Sequence, residues 1–275
     1  MSDKVYENSM GGSETGRYVF LCDGSLEGIL SAVHRAYYSR YGHKNISIQI
    51  CGNYEASLFC EYIQAETAYE RAELVAGAIR KKIGIRAWDM VFKAAHSEDG
   101  DRAMAIYRFL NYGFVMGSRV CGYLSDPYVH RVFELARTVE RECHRHLQFI
   151  RFKELEGGIL AAVIEPKSHI LYMIGEHFAD RFPWENWVIY DMSHKDACIH
   201  RAGGPWVVEK GVELHLDRLE DLSRTEQDFE DLWRTFFRHI EIDARKNPRC
   251  QMNMMPKYFW KDMTEMQPNK KDFRL

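Results

Sequence analysis

The change of hydrophobic periodicity along the chain is the feature that most constrains its fold. Residues 64 to about 150 carry apolar side chains at helical spacing throughout, as at Ala103, Ile106 and Leu110. On either side, short apolar runs alternate with polar residues, as at 46–50. We therefore predict an α+β fold, in which a mostly antiparallel sheet flanked by helices carries a large helical insert at about 64–150.

Turn and cap residues divide the rest of the chain into elements. Asp23, Gly24 and Ser25 follow a predicted strand at 17–22 and favour a helix cap, although backbone amides at such a turn can also hold an anion. Beyond residue 151 the pattern predicts a hairpin at 152–156 and 159–165, a helix at 168–182, strands at 187–191, 197–201 and 206–209, and an amphipathic helix from Phe229 to Ile240. The acidic stretch 217–231 indicates a solvated loop and a first helical turn.

The two chain ends differ in composition from the rest. Residues 1–16 are polar, rich in Gly and Ser, and lack the apolar stretch of a signal peptide, so we expect a disordered leader. A length of 275 residues suits one large domain or two modest ones. We expect a single α+β domain over 17–266, followed by a basic tail at 267–275.

The overall charge and the cysteine spacing exclude several function classes. The chain has a net charge of -3, so any nucleic-acid binding must use local patches. The seven cysteines include no C-x-x-C pair, and the Cys and His spacing matches no structural zinc site. We therefore expect reduced thiols, no metal and no cofactor. No apolar run reaches about 18 residues, so we expect no membrane span and a cytoplasmic protein.

A basic stripe on the predicted helix that begins near residue 127 is one local patch. It consists of Arg137, Arg141, His144, Gln148 and Arg151. Steps of three and four residues keep these side chains on one helical face. Arg141, His144 and Arg151 are therefore candidate phosphate contacts. The same pattern is also typical of a solvated helix face paired with nearby glutamates.

The segment 245–275 is the strongest basic signal, with eight Lys or Arg against three Asp or Glu. Its cations can neutralise phosphates, and its interleaved aromatic rings offer stacking faces for bases. The candidate nucleic-acid-binding residues in it are Arg245, Asn247, Arg249, Gln251, Lys257 and Tyr258. The alternative is a docked C-terminal helix whose aromatic side chains fill the core.

A second polar set brackets a predicted strand–helix–strand unit. Its members are Glu154, His177, Arg181 and Asp191. If these side chains converge, they form a cleft that can bind phosphate or move protons, and they are the candidate catalytic residues. The alternative is a set of scattered salt bridges and helix caps.

Several blocks of the chain together resemble a bacterial family of unknown function whose members are described as probable DNA metabolism proteins. The matching blocks are 23–30, 144–155, Pro166, 177–183, 187–191 and positions between Leu232 and Glu265. The resemblance covers about residues 17–266. One departure is His194 with Lys195, where the family pattern leads us to expect an Arg.

The resemblance implies a DNA-repair setting. Members of the family are encoded beside a radical S-adenosylmethionine (radical SAM) protein, and some carry a fused uracil-DNA glycosylase domain. This chain lacks the C-x-x-x-C-x-x-C run of a radical enzyme, so we expect radical chemistry to belong to a partner. The expected partners are DNA, the radical SAM protein and, as in the fused members, a uracil-DNA glycosylase.

Three hypotheses follow from these observations. The first is a DNA-repair or DNA-metabolism accessory factor that binds nucleic acid and cooperates with a radical SAM enzyme. The second is a hydrolase or nuclease-like enzyme that acts on DNA through the Glu/His/Arg/Asp cleft. The third is a scaffold that binds only protein through exposed aromatic side chains.

Overall fold

The structure, a computed structural model, describes residues 18–52, 58–213, 224–240 and 246–267. The chain divides into two compact units, Met1–Glu140 and Arg141–Leu275. The single domain expected over 17–266 stays a prediction. The predicted leader and nearly all of the predicted basic tail lie outside the described residues.

The sheet of the first unit is parallel throughout. Its strands are β1 (Tyr18–Cys22), β2 (Ile46–Ile50) and β3 (Glu61–Gln64), in the order β2-β1-β3. The central strand β1 is an almost continuous buried apolar run, which is typical of parallel strands covered on both faces. The predicted mostly antiparallel sheet is therefore correct only in part, because short-range patterning does not report the direction of a neighbouring strand.

Helices surround this sheet and extend the first unit. They are α1 (Leu26–Tyr38), α2 (Tyr69–Lys82), α3 (Ile85–Ala95), α4 (Arg102–Met116) and α5 (Pro127–Phe149), which continues into the second unit. The Ser25 hydroxyl accepts a hydrogen bond from the Gly28 amide at 3.0 Å and caps α1 as predicted. Gly84, with a φ of 123°, separates α2 from α3, because few other residues adopt this backbone conformation.

The second unit is built on a five-stranded sheet. Its strands are β4 (Lys153–Leu155), β5 (Ile159–Ile164), β6 (Trp187–Asp191), β7 (Asp196–His200) and β8 (Trp206–Glu209), in chain order across the sheet. Three of the pairings are antiparallel, whereas β5 and β6 run parallel. The crossover helix α6 (Leu171–Arg181) connects these two strands, as a parallel pair requires.

Helix α6 lies very close to the sheet. A Cβ atom on Gly175 would lie 2.7 Å from Cys198 Sγ and 3.0 Å from the Trp206 ring. Glycine at this position therefore allows the close approach. Leu171, Ile174 and Phe178 are buried on the same side of the helix.

The C-terminal part of the second unit is helical. It contains α7 (Arg224–Ile240), α8 (Pro248–Met254) and two short 3-10 turns, Lys257–Asp262 and Thr264–Met266. Helix α7 lies against β4 and the last 3-10 turn. The predicted amphipathic helix is present, but its apolar stripe faces solvent, with Phe229 61% and Leu232 62% exposed. None of the helices within the described residues combines the length and apolar character needed to cross a membrane.

Candidate nucleic-acid interface

A cavity of about 190 Å³ lies beside β4 in the second unit. We call it the β4 cavity. It is lined by Arg151, Lys153, Leu155, Ala161, Ala162, Val163, Lys261 and Asp262. Alternation along the chain brings Arg151, Lys153 and Leu155 to one side of β4. The 3-10 turn Lys257–Asp262 adds Lys261, more than a hundred residues further along the chain.

Arg151 is held in place from two sides. Its Nη2 lies 3.0 Å from Glu265 Oε1, and the Glu265 side chain is only 6% exposed. Its Nη1 donates to the carbonyls of Gln148 and Ile150 at 3.4 and 3.3 Å. The other oxygen of Glu265 accepts from the Trp233 indole at 3.3 Å. The guanidinium therefore enters the cavity wall in a fixed orientation.

Lys153 belongs to a charge network that anchors α7. Its Nζ lies 3.1 Å from Glu230 Oε1, and Glu230 Oε2 accepts from Arg234 Nη2 at 2.9 Å. Arg234 is buried and also donates to Asp231 at 3.2 Å. Lys153 remains 42% exposed, so its ammonium stays within reach of a ligand in the cavity.

Lys261 also lines the cavity. Its Nζ lies 2.5 Å from Glu165 Oε1. The hydroxyl of Tyr258 donates to the backbone carbonyl of the same Glu165 and holds the 3-10 turn against the end of β5. Burial, followed by the nearby charge of Glu165, raises the pKa of Tyr258 to about 12, so this phenol keeps its proton at neutral pH.

Three cations and one carboxyl, Asp262, line the cavity. Each cation is also paired with a carboxylate, so an anion can bind only where a lysine turns out of its ion pair. Burial raises the pKa of Asp262, which favours the neutral form of its carboxyl group. The partly exposed ion pairs of Lys153 and Lys261 are each worth only about 0–1 kcal/mol. Both ammonium groups can therefore turn to a phosphate at small cost.

The structure separates the other predicted nucleic-acid contacts. Arg141 and His144 are exposed on α5. Arg245 lies outside the described residues. Asn247 has a structural role, because its side chain accepts from the Cys250 amide at 3.0 Å and caps α8. The remaining predicted residues of the segment are exposed, and they are Arg249, Gln251, Lys257 and Tyr258.

The four candidate catalytic residues do not gather in one cleft. Glu154 pairs with Leu160, which in turn pairs with Trp187 at the start of β6. Asp191 ends β6, four residues or about 13 Å further along the strand. Glu154 and Asp191 therefore lie at opposite ends of the sheet.

His177 and Arg181 are both exposed on α6, whose buried residues include Leu171, Ile174 and Phe178. The backbone amide of Glu154 donates to Glu226 at 3.3 Å, and the Glu154 side chain is half-buried on β4. Sequence spacing predicted which of these residues share a helix or a strand, but it carried no information on the end of the sheet at which each residue lies.

A family model described as a domain of unknown function (DUF4130) matches residues 100–265, more than half of the 275-residue chain. The chain belongs to the DUF4130 family. No curated protein matches it. The region that matches the DUF4130 model includes every lining residue of the β4 cavity.

Within the DUF4130 region, the structure also brings together three polar residues that sequence analysis had not combined. Asp191 is buried, and its carboxylate accepts from the amides of Ser193 and His194 at 3.0 and 3.1 Å. Its other oxygen lies 2.6 Å from His194 Nδ1. The rings of His194 and His169 lie 3.9 Å apart between centroids.

This cluster can orient an imidazole. A buried carboxylate that binds one ring nitrogen fixes the tautomer and direction of the other nitrogen. A ring nitrogen of His169 and one of His194 lie within 4.8 Å of each other.

Sequence analysis of this DUF4130 member missed Lys153, Lys261 and Glu230 as site residues. The signal for Lys153 was its alternation with Arg151 and Leu155 on one strand. Glu230 lies in the acidic stretch that predicted a solvated loop and a first helical turn, yet its side chain is only 11% exposed and pairs with Lys153. Nothing local in the sequence joins residues this far apart.

Proposed function

We propose that this protein is a nucleic-acid-binding accessory factor of DNA repair or DNA metabolism, and that the β4 cavity contacts the phosphate backbone. The observation that carries this proposal is the convergence of Arg151, Lys153 and Lys261 on one cavity. Arg and Lys are the usual partners of phosphates, and such contacts supply most of the non-specific affinity for nucleic acid.

The partners in this proposal come from the family resemblance. We propose that the protein cooperates with a radical SAM enzyme of DNA modification or repair, and with a uracil-DNA glycosylase where the two occur together. In this scheme the accessory factor holds the strand, and the partner carries the chemistry. The cellular setting is the cytoplasm, where DNA and its repair enzymes are accessible.

The hydrolase remains the weaker alternative. It requires Glu154, His177, Arg181 and Asp191 within reach of one substrate. Because Glu154 and Asp191 lie at opposite ends of the sheet, the structure offers this hypothesis no support. We therefore build the proposal on the β4 cavity alone.

Salt-dependent binding tests the proposal directly. Fluorescence anisotropy of labelled single-stranded and double-stranded DNA is measured with the full chain at a series of salt concentrations. The double variant K153Q/K261Q should bind more weakly and should lower the salt slope by about 1.4 on single strands, or about 0.7 for each lost phosphate contact. K210Q is the matched control, because Lys210 is exposed in the same unit and does not line the cavity.

Two outcomes contradict the proposal. One is the absence of salt-dependent binding to either form of DNA, with or without the radical SAM partner. The other is a K153Q/K261Q variant whose affinity and salt slope equal those of K210Q. Circular dichroism of each variant shows whether the fold is retained.

A further inference from the structure

A second concave surface lies in the first unit, between α1 and α2. Its volume is about 280 Å³. It is lined by Val33, His34, Tyr37, Tyr38, Leu74, Val75, Ala78, Lys82 and Phe114. None of these described lining residues is acidic. We call this surface the α1–α2 groove.

Aromatic rings form much of its wall. Tyr37 stands edge-on to Phe114, with ring centroids 5.9 Å apart, and Tyr38 lies 4.7 Å from His34. Tyr38 is 71% exposed and Tyr37 is 44% exposed, so both offer ring surface to a ligand. Base–aromatic stacking is worth about 1–3 kcal/mol per base and tolerates any base, because every base has a π face.

The rings are supported from below. Tyr37 also contacts His43, with ring centroids 5.2 Å apart. His43 Nδ1 in turn lies 2.8 Å from the hydroxyl of Tyr107, which is fully buried in the core of the unit. The fold therefore holds the Tyr37 ring in place, which reduces the entropy cost of ordering this ring when a ligand binds.

Lys82 lines the groove, and a second cation, Arg71, lies on the same face of α2. Arg71, Leu74, Ala78 and Lys82 succeed one another at steps of three and four residues and share one face of α2. Arg71 and Lys82 are both exposed and lie eleven residues, or about 16 Å, apart along the helix. The Lys82 ammonium lies 6.0 Å from the centre of the Phe114 ring. Arg71 acts on His34, whose pKa is lowered first by burial and then by this positive charge.

We propose that the α1–α2 groove binds an unpaired nucleic-acid strand, whose bases stack on Tyr37, Tyr38 and Phe114 and whose phosphates contact Arg71 and Lys82. Duplex DNA fits this surface poorly, because its bases are already stacked on one another. An apolar peptide would cover the rings but would leave the two cations without a counter-charge. This site shares no lining residue with the β4 cavity, and its lining residues other than Phe114 lie outside the region that matches the DUF4130 model.

Matched variants of the full chain test the groove. The probe is labelled oligothymidylate, compared with a duplex of equal length. Y38A should weaken oligothymidylate binding about tenfold and leave duplex binding nearly unchanged, since one stacking face is lost. K82Q should lower the salt slope by about 0.7. Y38F should bind like the unaltered protein, because stacking needs the ring and not the hydroxyl.

The controls are exposed neighbours on α2 that do not line the groove. Y69A removes a tyrosine that is 72% exposed, and K81Q removes the charge next to Lys82. If Y38A and K82Q bind like Y69A and K81Q, the inference is overturned. Equal losses on the oligothymidylate and the duplex would also overturn it.

The variants test the groove proposal and the β4 cavity proposal independently. Loss of binding only in K153Q/K261Q would overturn the groove and support the cavity. Loss of oligothymidylate binding only in Y38A and K82Q would support the groove and contradict the cavity as the phosphate contact.

Discussion

The α1–α2 groove and the β4 cavity present their cations differently. In the cavity, Arg151, Lys153 and Lys261 each lie within 3.1 Å of a carboxylate oxygen. In the groove, no acidic residue occurs among the described lining residues, and the exposed surface is largely aromatic. The cavity thus presents cations that ion pairs hold in position, whereas the groove presents aromatic rings on which bases can stack. We therefore expect salt to weaken binding at the cavity more than at the groove.

The largest expected effect concerns the network that anchors the cavity. Arg234→Met removes a buried guanidinium that pairs with Glu230 and Asp231. The negative charge of Glu230 then has one positive partner fewer. We expect the free energy of unfolding to fall by about 3 kcal/mol, as is typical when one partner of a buried pair is lost. Urea unfolding followed by circular dichroism measures it.

Arg71→Met in the groove is the comparison for this variant. Arg71 is exposed, so its loss should change the free energy of unfolding by less than about 0.5 kcal/mol. Equal effects of the two substitutions would show that the cavity does not depend on its charge network.

A smaller effect is expected when a carboxylate is removed from the cavity. Glu165→Gln frees Lys261 from its ion pair. Single-stranded DNA should then bind about threefold more tightly, since a partly exposed pair holds the lysine with less than about 1 kcal/mol. Anisotropy titration measures the change. Glu156→Gln, at an exposed position of the β4–β5 turn, is the control, and an affinity unchanged in both variants would count against phosphate binding at the cavity.

The smallest effects are expected in the pH dependence of stability, where the two surfaces should respond with opposite sign. Burial holds the pKa of Asp262 above its ordinary value near 3.8. The stability associated with the neutral form is complete below that value and is lost as pH rises through the raised pKa. Compared with that of D262N, the free energy of unfolding of the unaltered protein should therefore fall by about a few tenths of a kcal/mol as pH rises. The loss is small because solvent screens the half-buried carboxyl.

His34 in the groove should show the reverse. Its pKa lies below the ordinary value of 6.5 because burial disfavours the charged ring. Its contribution to stability is complete above pH 6.5 and is lost as pH falls towards the lowered pKa. Urea unfolding at a series of pH values compares H34Q and D262N with the unaltered protein, and differences of the same sign would contradict this contrast.

Local sequence patterns determined most of the secondary structure. The predicted strand 187–191 coincides with β6, and the predicted helix start at Pro127 coincides with the start of α5. Caps, prolines and periodicities act over a few residues, so a single sequence reports them well. Alternation along 151–155 also accounts for Arg151, Lys153 and Leu155 on one side of β4, which are three of the eight residues that line the β4 cavity.

Only the tertiary structure decided how these elements combine. The parallel sheet of the first unit and the parallel pairing of β5 with β6 depend on crossover connections, which alternation does not encode. Helix α7 is the clearest example of a feature that the sequence pattern did not predict. Its periodicity predicted an amphipathic helix, yet its charged residues Glu230 and Arg234 face the body of the second unit and Phe229 faces solvent.

The sequence by itself therefore determined the elements, the local charge of the segment that begins at 245 and the absence of a long apolar run. The tertiary structure decided that Lys261 joins Lys153 across the β4 cavity, that Glu154 and Asp191 lie apart, and that Tyr38 and Lys82 share a groove. The physical reason is the distance along the chain over which the interactions act. Helix and strand formation follow from interactions between residues a few positions apart, whereas a site depends on contacts between elements far apart in the chain.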